Sequence, residues 1–514
     1  MLVLLATLTP VSAGAPAATR AVIVQARDTE TALRVVREAG GRITHELRII
    51  DSVAARLTPV QLGSVRHRPE ISQIYEDRAV AVASNGAGDP VNPYPALIGA
   101  DRLHDEGITG WGVTVAVIDT GFHSKANDKF RLLSHYNAIT DQDLSVNNHS
   151  DLHGHGSHVQ SIILNDSIGE QGAGFNGIAP EAELVAVKAF PDSGAGTYAD
   201  VIRGLDYVVA NQALYGIRVL NLSFGAQPIS HYWDDPLNQA VMAAWQAGIV
   251  VVASAGNFGP EAMTIGVPGN VPYVITVGAM SDAYTPEDPT DDYVTSFSAA
   301  GPTYEGFIKP EVVAPGGHIT AKMDHGAKLA VEHPEFHHDG RYFTMSGTSQ
   351  AAAMVSGAAA LMLQADPSLS ADDVKCRLMW SARPAVAGDG SIAYSVFQQG
   401  SGLIDVYRAA HASIQGCGNL GLDVNADLDG NGHFGGRAHQ LADGTFFIDG
   451  LDGYAWDGSY AWNEGYLWPD GYIWPDGYIW PEGYIWPDGY IWPDGYIWPD
   501  GYIWPDGYIW PDGY

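Results

Sequence analysis

Short, uninterrupted apolar runs rich in β-branched residues constrain the fold of this 514-residue chain more than any other feature. They alternate with helix-like segments and lie at 113–118, 184–187, 219–222, 249–253 and 274–277. Continuous apolarity over such short stretches is typical of strands that are buried on both faces of a parallel sheet. The pattern therefore predicts a doubly wound α/β domain with a mostly parallel sheet, which we expect to extend from residue 94 to residue 415.

A smaller unit precedes this domain. Between residues 20 and 79, strand-like and helix-like pieces follow one another in the order β-α-β-β-α-β, which predicts helices packed on a small antiparallel sheet. Residues 80–93 are rich in Gly, Ala, Asn and Pro and show no periodicity. We interpret them as an exposed linker where cleavage would be tolerated.

The first 13 residues are interpreted as a signal peptide. They are apolar and end in Val11, Ser12 and Ala13, a small-residue cleavage pattern, although the positive residues that usually come first are missing. No later run approaches the roughly 18 apolar residues of a membrane span. We therefore expect a secreted protein, free or associated with the cell surface, that has no segment in the bilayer.

The charge balance narrows the range of partners. There are 59 acidic residues against 26 basic ones, for a formal net charge of −33. Nucleic acid and anionic lipid are excluded as partners, because each phosphate contact would need a Lys or Arg that the chain lacks. Solubility in a salty or extracellular medium explains the excess of acids more simply than an acid-binding partner does.

The chain has two cysteines, Cys376 and Cys417, and neither lies in a metal-binding or redox spacing. An even count in an exported protein favours a disulfide. We expect the two to be bonded and to tie together the last part of the main domain.

Four separated motifs place polar side chains where a predicted strand ends or a helix begins. Asp119 ends one apolar run, His155 begins a His-Gly-Ser-His motif, Asn257 follows another strand, and Ser349 opens a helix of small residues. Each has a plainer interpretation alone: a cap or turn former, a metal-binding histidine pair, or an N-cap. However, reacting groups gather at the strand ends of open α/β sheets, and a helix N-terminus stabilises an oxyanion.

Together, in the order Asp, His and Ser, these motifs resemble the subtilase family of serine peptidases. Three further blocks carry the resemblance: GIAP at 177–180, NLSFG at 221–225 and KPEVVAPG at 309–316. The resemblance spans roughly residues 110–405 and implies a subtilisin-like fold. It departs from the family at Gln350 and Ala353, where the family usually has Met and Pro.

The resemblance implies a serine endopeptidase that hydrolyses proteins through an acyl-enzyme. Ser349 would be the nucleophile, His155 the base, and Asp119 the residue that orients the imidazole. The Asn257 side chain and the backbone N–H of the nucleophile would hold the oxyanion, and His158 would be structural. This chemistry needs no cofactor.

Two segments resemble the edges that clamp a substrate peptide as an added β-strand. The residues concerned are Ser193, Gly194, Ala195, Gly196, Ser223, Phe224 and Gly225. The His-rich stretch 317–344 lies just before the serine motif, and we interpret it as a flexible loop over the site.

The unit at 20–79 resembles, in its element order, the inhibitory propeptides that precede subtilase domains. We therefore expect a self-inhibited precursor whose own propeptide is a partner in the same chain. The alternative is a simple accessory domain.

The Gly- and Asp-rich segment 418–452 follows the main domain. Its oxygen-bearing side chains alternate as in a calcium loop, at Asp423, Asn425, Asp427, Asp429 and Asn431. An EF-hand would have Glu at the twelfth position, where this chain has Ala438. The pattern is equally typical of a structural calcium site and of a polar turn.

Residues 453–514 repeat the hexad GYIWPD, in which Pro-Asp-Gly favours a turn and Tyr-Ile-Trp a very short strand. Stacked hexads would form an aromatic ladder able to bind glycans or a cell surface; the alternative is a tail without a defined ligand. Two other functions remain for the whole chain: a catalytically dead scaffold of the same fold, and an adhesin whose working part is the repeat.

Overall fold

The structure is a computed structural model. It describes residues 19–48, 51–76, 92–123, 131–169, 174–288, 291–386, 391–451 and 453–460, with 490–491 and 502–503. The chain divides into two compact units, Met1–Ser84 and Asn85–Tyr514. The predicted signal peptide at 1–13, nearly all of the linker and most of the repeat lie outside the described residues.

The first unit has the predicted element order. Its elements are β1 Arg20–Ala26, α1 Thr29–Glu38, β2 Arg42–Leu47, β3 Ser52–Leu57, α2 Pro59–Arg66 and β4 Ile71–Glu76. The strands form an antiparallel sheet in the order β2-β3-β1-β4. The side chain of Asp28 caps α1, and Thr58 and Gln61 form a capping box at α2. Both helices pack on this sheet, and the start of each is specified by a local cap.

The second unit is built around a mostly parallel sheet. Its strands are β5 Thr114–Asp119, β6 Arg131–Asn137, β7 Gln142–Asp143, β8 Glu183–Lys188, β9 Ile217–Leu222, β10 Val250–Ser254, β11 Ile275–Ser281, β12 Tyr293–Val294 and β13 Val312–Pro315. The order is β12-β11-β10-β9-β5-β8-β6-β7, with β13 also pairing with β11. Only the short pairs β11–β12 and β6–β7 are antiparallel among the described strands of this sheet. The predicted doubly wound α/β fold is confirmed.

Helices cover both faces of this sheet. Up to the centre of the chain they are α3 Tyr94–Leu97, α4 Ala100–Asp105, α5 His155–Leu164, α6 Tyr198–Ala210, α7 Gln212–Tyr215 and α8 Pro236–Gln246. Helices α6 and α8 pack against each other. Asp235 caps α8 by accepting hydrogen bonds from two backbone N–H groups, and Thr197 caps α6.

The stretch 317–344 is ordered secondary structure and not the loop that we expected. It contains β14 Ile319–Lys322, α9 Lys328–Glu332, a 3₁₀ turn at Pro334–Phe336, β15 His337–His338 and, at its end, β16 Tyr342–Met345. The strands pair in the order β14-β16-β15 and are antiparallel. Met323, Ala327, Ala330 and Phe343 form a small core beneath α9. We call Ile319–Met345 the insert.

The remaining elements follow the insert. They are α10 Thr348–Ala365, α11 Ala371–Ser381, α12 Val396–Gln399, α13 Val406–His411, α14 Val424–Leu428, β17 Ala438–Gln440 and β18 Phe446–Ile448, with β19 Tyr490–Ile491 and β20 Tyr502–Ile503 in the repeat. Helix α10 is buried almost throughout and packs against α5. No helix within the described ranges is long and apolar enough to cross a membrane.

The Gly- and Asp-rich segment packs on the main domain and extends its core. Trp456 and Phe446 lie in one apolar cluster with Phe397 of α12, and the Tyr460 hydroxyl donates a hydrogen bond to the carbonyl of Val294. Cys376 of α11 and Cys417 are joined as a disulfide with a Cα–Cα distance of 5.1 Å. The first turns of the aromatic repeat therefore belong to the folded domain.

Candidate active site

Asp119 is the last residue of β5, at the carboxyl edge of the parallel sheet. Its side chain is almost fully buried, with 2% of the residue exposed. Oδ1 accepts hydrogen bonds from His155 Nδ1 at 2.8 Å and from the Thr120 N–H at 2.7 Å. Oδ2 is buried and has no hydrogen-bond partner among the described residues. The carboxylate therefore binds the imidazole through Oδ1, and this oxygen also binds the N–H of the next residue, Thr120.

His155 is the first residue of α5, and 18% of its side chain is exposed. The buried carboxylate of Asp151 holds this helix start in place, since it accepts the N–H groups of Gly154 at 2.8 Å and Ser157 at 2.7 Å. The same carboxylate accepts the Thr120 hydroxyl at 2.8 Å. The network thus links the backbone beside the imidazole to the residue that follows Asp119.

The pKa of His155 lies above its usual value. Burial is the largest influence and would lower this pKa, but the charge of Asp119, its hydrogen bond to Nδ1 and the charge of Asp151 together outweigh burial and raise it. The imidazole is thereby suited to take up a proton, because its cationic form has two carboxylates to stabilise it.

His158 has a different environment one turn along the same helix. It is fully buried, and burial lowers its pKa to about 3, so this ring is neutral. Its Nε2 atom donates a hydrogen bond to the carbonyl of Phe343 in β16 at 3.0 Å. His158 therefore ties α5 to the strand that leads into the serine motif, as its predicted structural role requires.

Ser349 is the second residue of α10, and 9% of it is exposed. Its hydroxyl donates to the carbonyl of Ser223 at 3.0 Å, and the Ser223 hydroxyl donates to the carbonyl of Ser349 at 2.8 Å. Within the described part of the chain, the hydroxyl's partner is this carbonyl and not the His155 imidazole. Rotation about the Cα–Cβ bond is needed to turn the hydroxyl toward a base, as is common in sites without bound substrate.

Asn257 lies beside the start of the same helix. Its Oδ1 atom accepts hydrogen bonds from both the N–H and the hydroxyl of Thr348, each at 2.9 Å. A Cβ at Gly347 would lie 3.3 Å from Asn257 Nδ2, so the amide donor faces the backbone just before Ser349. The side chain is thus held by its oxygen, and its Nδ2 donor lies near the backbone that leads into the serine.

A phenylalanine pair connects the two predicted substrate segments, because Phe190 lies against one of them and Phe224 belongs to the other. Phe190, next to Gly196, and Phe224 have ring centroids 5.0 Å apart. The other segment follows β9 directly, and its neighbour Ala226 forms an antiparallel bridge with Val267. Gly194 lies against the imidazole of His153, two residues before His155. Both segments are therefore attached to elements that carry the predicted site.

The possible calcium loop is a capped helix in the structure. Asp423 caps α14 with its own carboxylate, and both oxygens of Asp427 are occupied, by His433 Nδ1 and by the hydroxyls of Tyr232 and Tyr273. The side-chain oxygens of Asp423 and Asp427 are therefore held by partners within the protein. No group of three or more His, Cys, Asp or Glu side chains in the described ranges is arranged to hold a metal.

Comparison with known proteins identifies the family. The model of the subtilase family matches residues 110–402, more than half of the 514-residue chain. The chain belongs to the subtilase family. It is accordingly a serine-type endopeptidase, and proteins are its substrates.

Two relatives of this subtilase come from Bacillus subtilis strain 168. Serine protease AprX is 33% identical over 345 residues, which cover 66% of this chain and 76% of the relative. Subtilisin E is 30% identical over 381 residues, covering 73% and 85% respectively. A crystal structure of fervidolysin from Fervidobacterium pennivorans, described as a keratinolytic enzyme related to subtilisin, has a TM-score of 0.51 at 22% identity and covers 78% of this chain and 62% of that one. That similarity concerns the fold alone.

Sequence reasoning missed two parts of the subtilase site. Asp151 was not singled out, although an acid placed shortly before a histidine at a helix start is a signal for a cap. The insert was expected to be a flexible loop because its many histidines and turn residues hide three short strands. Its contacts with the residues before His155 depend on chain segments about 175 residues apart, which no local pattern reveals.

Proposed function

We propose that this subtilase is a secreted endopeptidase in which Asp119, His155 and Ser349 form the catalytic triad, made as a self-inhibited precursor. One observation carries the assignment of the triad. Asp119 Oδ1 lies 2.8 Å from His155 Nδ1 at the carboxyl edge of the sheet, and His158 ties the same helix to the strand that leads into Ser349. Three distant parts of the chain thus contribute to one edge of the domain.

In the proposed mechanism, the Ser349 hydroxyl turns from the Ser223 carbonyl toward Nε2 of His155. The imidazole takes the proton as Oγ attacks the peptide carbonyl, and later gives it to the leaving amine. Asp119 keeps the neutral ring in the tautomer with a proton on Nδ1, and it stabilises the cation that forms. This chemistry requires no cofactor.

The negative charge on the substrate oxygen would be held by two donors. Asn257 Nδ2 and the N–H of Ser349 lie at the start of α10, where the helix dipole also favours negative charge. Because Thr348 fixes the amide oxygen of Asn257, the donor is oriented before the reaction begins. Such preorganisation is effective, as no group has to be reoriented when the charge develops.

The substrate would bind as an extended peptide between residues 193–196 and 223–225. Backbone hydrogen bonds supply most of the recognition in this mode, so we propose broad sequence tolerance. The packed phenylalanines at 190 and 224 would favour an apolar side chain at the substrate position that lies against them.

The first unit is proposed to be the inhibitory propeptide, and cleavage after it would release the mature enzyme. Its antiparallel sheet with two helices and the Gly-, Ala-, Asn- and Pro-rich composition of residues 80–93 support this interpretation. The apolar first 13 residues and the disulfide between Cys376 and Cys417 support export to an oxidising compartment.

Hydrolysis of casein tests the triad. Purified protein should cleave casein, and Ser349→Ala should abolish cleavage without a change in the unfolding temperature. Ser346→Ala is the matched control, because Ser346 is exposed and its hydroxyl accepts the His318 N–H at 2.7 Å. Equal activity of wild type and Ser349→Ala would contradict the proposed function.

Contact of the repeat with glycans or a cell surface is a separate proposal, and it rests on the regular Tyr and Trp positions. A chain that ends after Tyr460 keeps the packed residues Trp456 and Tyr460 and removes the later hexads. This truncation should hydrolyse casein normally and lose binding to insoluble polysaccharide. Equal polysaccharide binding by both proteins would refute a role of the tail in that contact.

A further inference from the structure

The insert contacts the backbone just before His155. The N–H of Lys328 donates a hydrogen bond to the carbonyl of Leu152 at 2.8 Å, and the N–H of Leu329 donates to the carbonyl of His153 at 3.1 Å. These N–H groups belong to the first turn of α9, where a helix has donors without partners of its own. The first turn of α9 therefore donates its N–H groups to carbonyls of the loop that precedes His155.

Side chains of the insert support the same loop at its next residue. Gly154 has a φ of +104°, and a Cβ there would lie 2.8 Å from Met323 Sδ and 2.9 Å from Ala327 Cβ. The loop thus lies directly on the apolar side chains of the insert. Met323 is fully buried at this contact, so the loop backbone packs against a filled core.

The other end of α5 is attached to the insert as well. The N–H of Lys322 in β14 donates to the Ser161 hydroxyl at 3.0 Å, in addition to the hydrogen bond from His158 to β16. Strand β16 ends at Met345, four residues before Ser349. One small sheet therefore contacts the helix that carries the base and continues into the serine motif.

We infer that the turn Met323–Leu329 positions His155 for catalysis, by fixing the backbone of residues 152–154 through its two N–H groups and its apolar contacts. The inference rests on the proposed role of His155 as the base. Lys328 and Met323 are positioning residues here, since neither touches the reacting atoms. Misplacement of a catalytic group by about 1 Å can reduce turnover by as much as about 100-fold, so a modest loosening of this loop should be measurable.

Lys328→Pro tests the inference, because it removes the donor to Leu152 and places the proline Cδ against that carbonyl, so that the loop before His155 has to shift. Proline is well tolerated as the first residue of a helix, and Ala327 already has the extended conformation, φ −64° and ψ 145°, that a residue before proline adopts. The matched control Lys328→Ala keeps the N–H and removes the exposed side chain. Active protein is counted by titration with a fluorophosphonate that reacts with catalytic serines, so that kcat refers to folded sites.

We expect Lys328→Pro to lower kcat roughly tenfold with KM within about twofold, and to slow inactivation by the fluorophosphonate similarly. Lys328→Ala should stay within about twofold of wild type. Met323→Ala removes the side chain that contacts Gly154. It should likewise lower kcat and leave KM within about twofold. If Lys328→Pro and Met323→Ala both keep wild-type kcat while Ser349→Ala is inactive, the inference is wrong and the proposed function stands. Activity of Ser349→Ala would refute the proposed function itself.

Discussion

Two regions of this subtilase contain the same pair of side chains in nearly the same geometry. At the edge of the central sheet, Asp119 Oδ1 lies 2.8 Å from Nδ1 of His155, and in the Gly- and Asp-rich segment, Asp427 Oδ1 lies 2.8 Å from Nδ1 of His433. Both carboxylates are buried. An Asp–His hydrogen bond therefore does not by itself distinguish a catalytic pair from a structural one.

The surroundings of the second carboxylate oxygen separate the two pairs. Asp427 Oδ2 accepts the hydroxyls of Tyr232 at 2.7 Å and Tyr273 at 2.6 Å, and His433 stacks on Trp233 with ring centroids 4.7 Å apart. Both oxygens of Asp427 and Nδ1 of His433 thus hold the segment on the domain. At Asp119 the histidine is the first residue of a helix, partly exposed, and a serine begins a second helix nearby. The difference suggests that a pair is suited to catalysis when part of its hydrogen-bonding capacity is left open.

Among the variants that test the difference between the two Asp–His pairs, Asp119→Asn should have the largest effect on kcat. The amide leaves the shape of the site unchanged but permits the wrong tautomer of His155, so kcat should fall by about 10⁴-fold. The unfolding temperature should change little. The measurement is kcat on a chromogenic peptide, with thermal unfolding followed in parallel. A decrease of less than tenfold would mean that Asp119 is no more catalytic than Asp427.

Asn257→Ala should have the next largest effect on the catalytic side. Loss of one preorganised oxyanion donor costs about 10²–10³-fold in kcat, with KM nearly unchanged. Thr348→Ser is a suitable control, because it keeps both donors to Asn257 Oδ1. A rise in KM without a fall in kcat would place Asn257 in ground-state binding instead.

Asp427→Ala should show the opposite behaviour. It leaves two tyrosine hydroxyls and an imidazole without their acceptor, which should lower the free energy of unfolding by about 3 kcal/mol. Because Asp427 is proposed to be structural, kcat/KM of the folded protein should stay within about threefold. Addition of Tyr273→Phe, which removes a hydroxyl that has lost its acceptor, should recover part of the lost stability in urea unfolding. A large loss of kcat at unchanged stability would contradict the structural assignment.

His158 permits a smaller test, based on pH. Its pKa is about 3 in the folded protein, whereas an unfolded histidine titrates near 6.5. Below pH 6.5 the unfolded chain binds a proton that the folded chain does not bind, so this residue's contribution to stability is lost as the pH falls from 6.5 toward 3. The loss amounts to roughly 3 kcal/mol at pH 4.5.

His158→Gln does not titrate in this range and keeps a donor for the Phe343 carbonyl. Urea unfolding at pH 7 and pH 4.5 should therefore show a smaller acid loss in His158→Gln than in wild type. An equal acid loss in both proteins would show that His158 is not kept neutral by the fold.

Most of the fold could be predicted from the sequence where the signal is local. Five parallel strands were found because each is a continuous apolar run, but β6 was missed since Ser134 and His135 interrupt it. Both are buried with polar partners, Tyr207 for the serine and Ser150 for the histidine. Such partners lie elsewhere in the chain. A buried polar residue therefore interrupts the apolar pattern, and its strand is mistaken for a loop.

The same limit explains which parts of the candidate site were predicted. The motifs around residues 119, 155 and 349 are recognisable because each combines a strand or helix end with a reactive side chain. For residues 423–431 the sequence left a calcium site and a polar turn equally open, because alternating oxygens give no information about their partners. Tyr232 and Tyr273, which occupy Asp427, lie more than 150 residues earlier in the chain.

Covalent labelling tests the central claim most directly. A fluorophosphonate should react with one serine of the purified protein, and peptide mass spectrometry should place the phosphonyl group on Ser349. The label should disappear in His155→Ala and persist in His433→Ala. Modification of a different serine, or equal labelling of Ser349 in His155→Ala and wild type, would contradict the account.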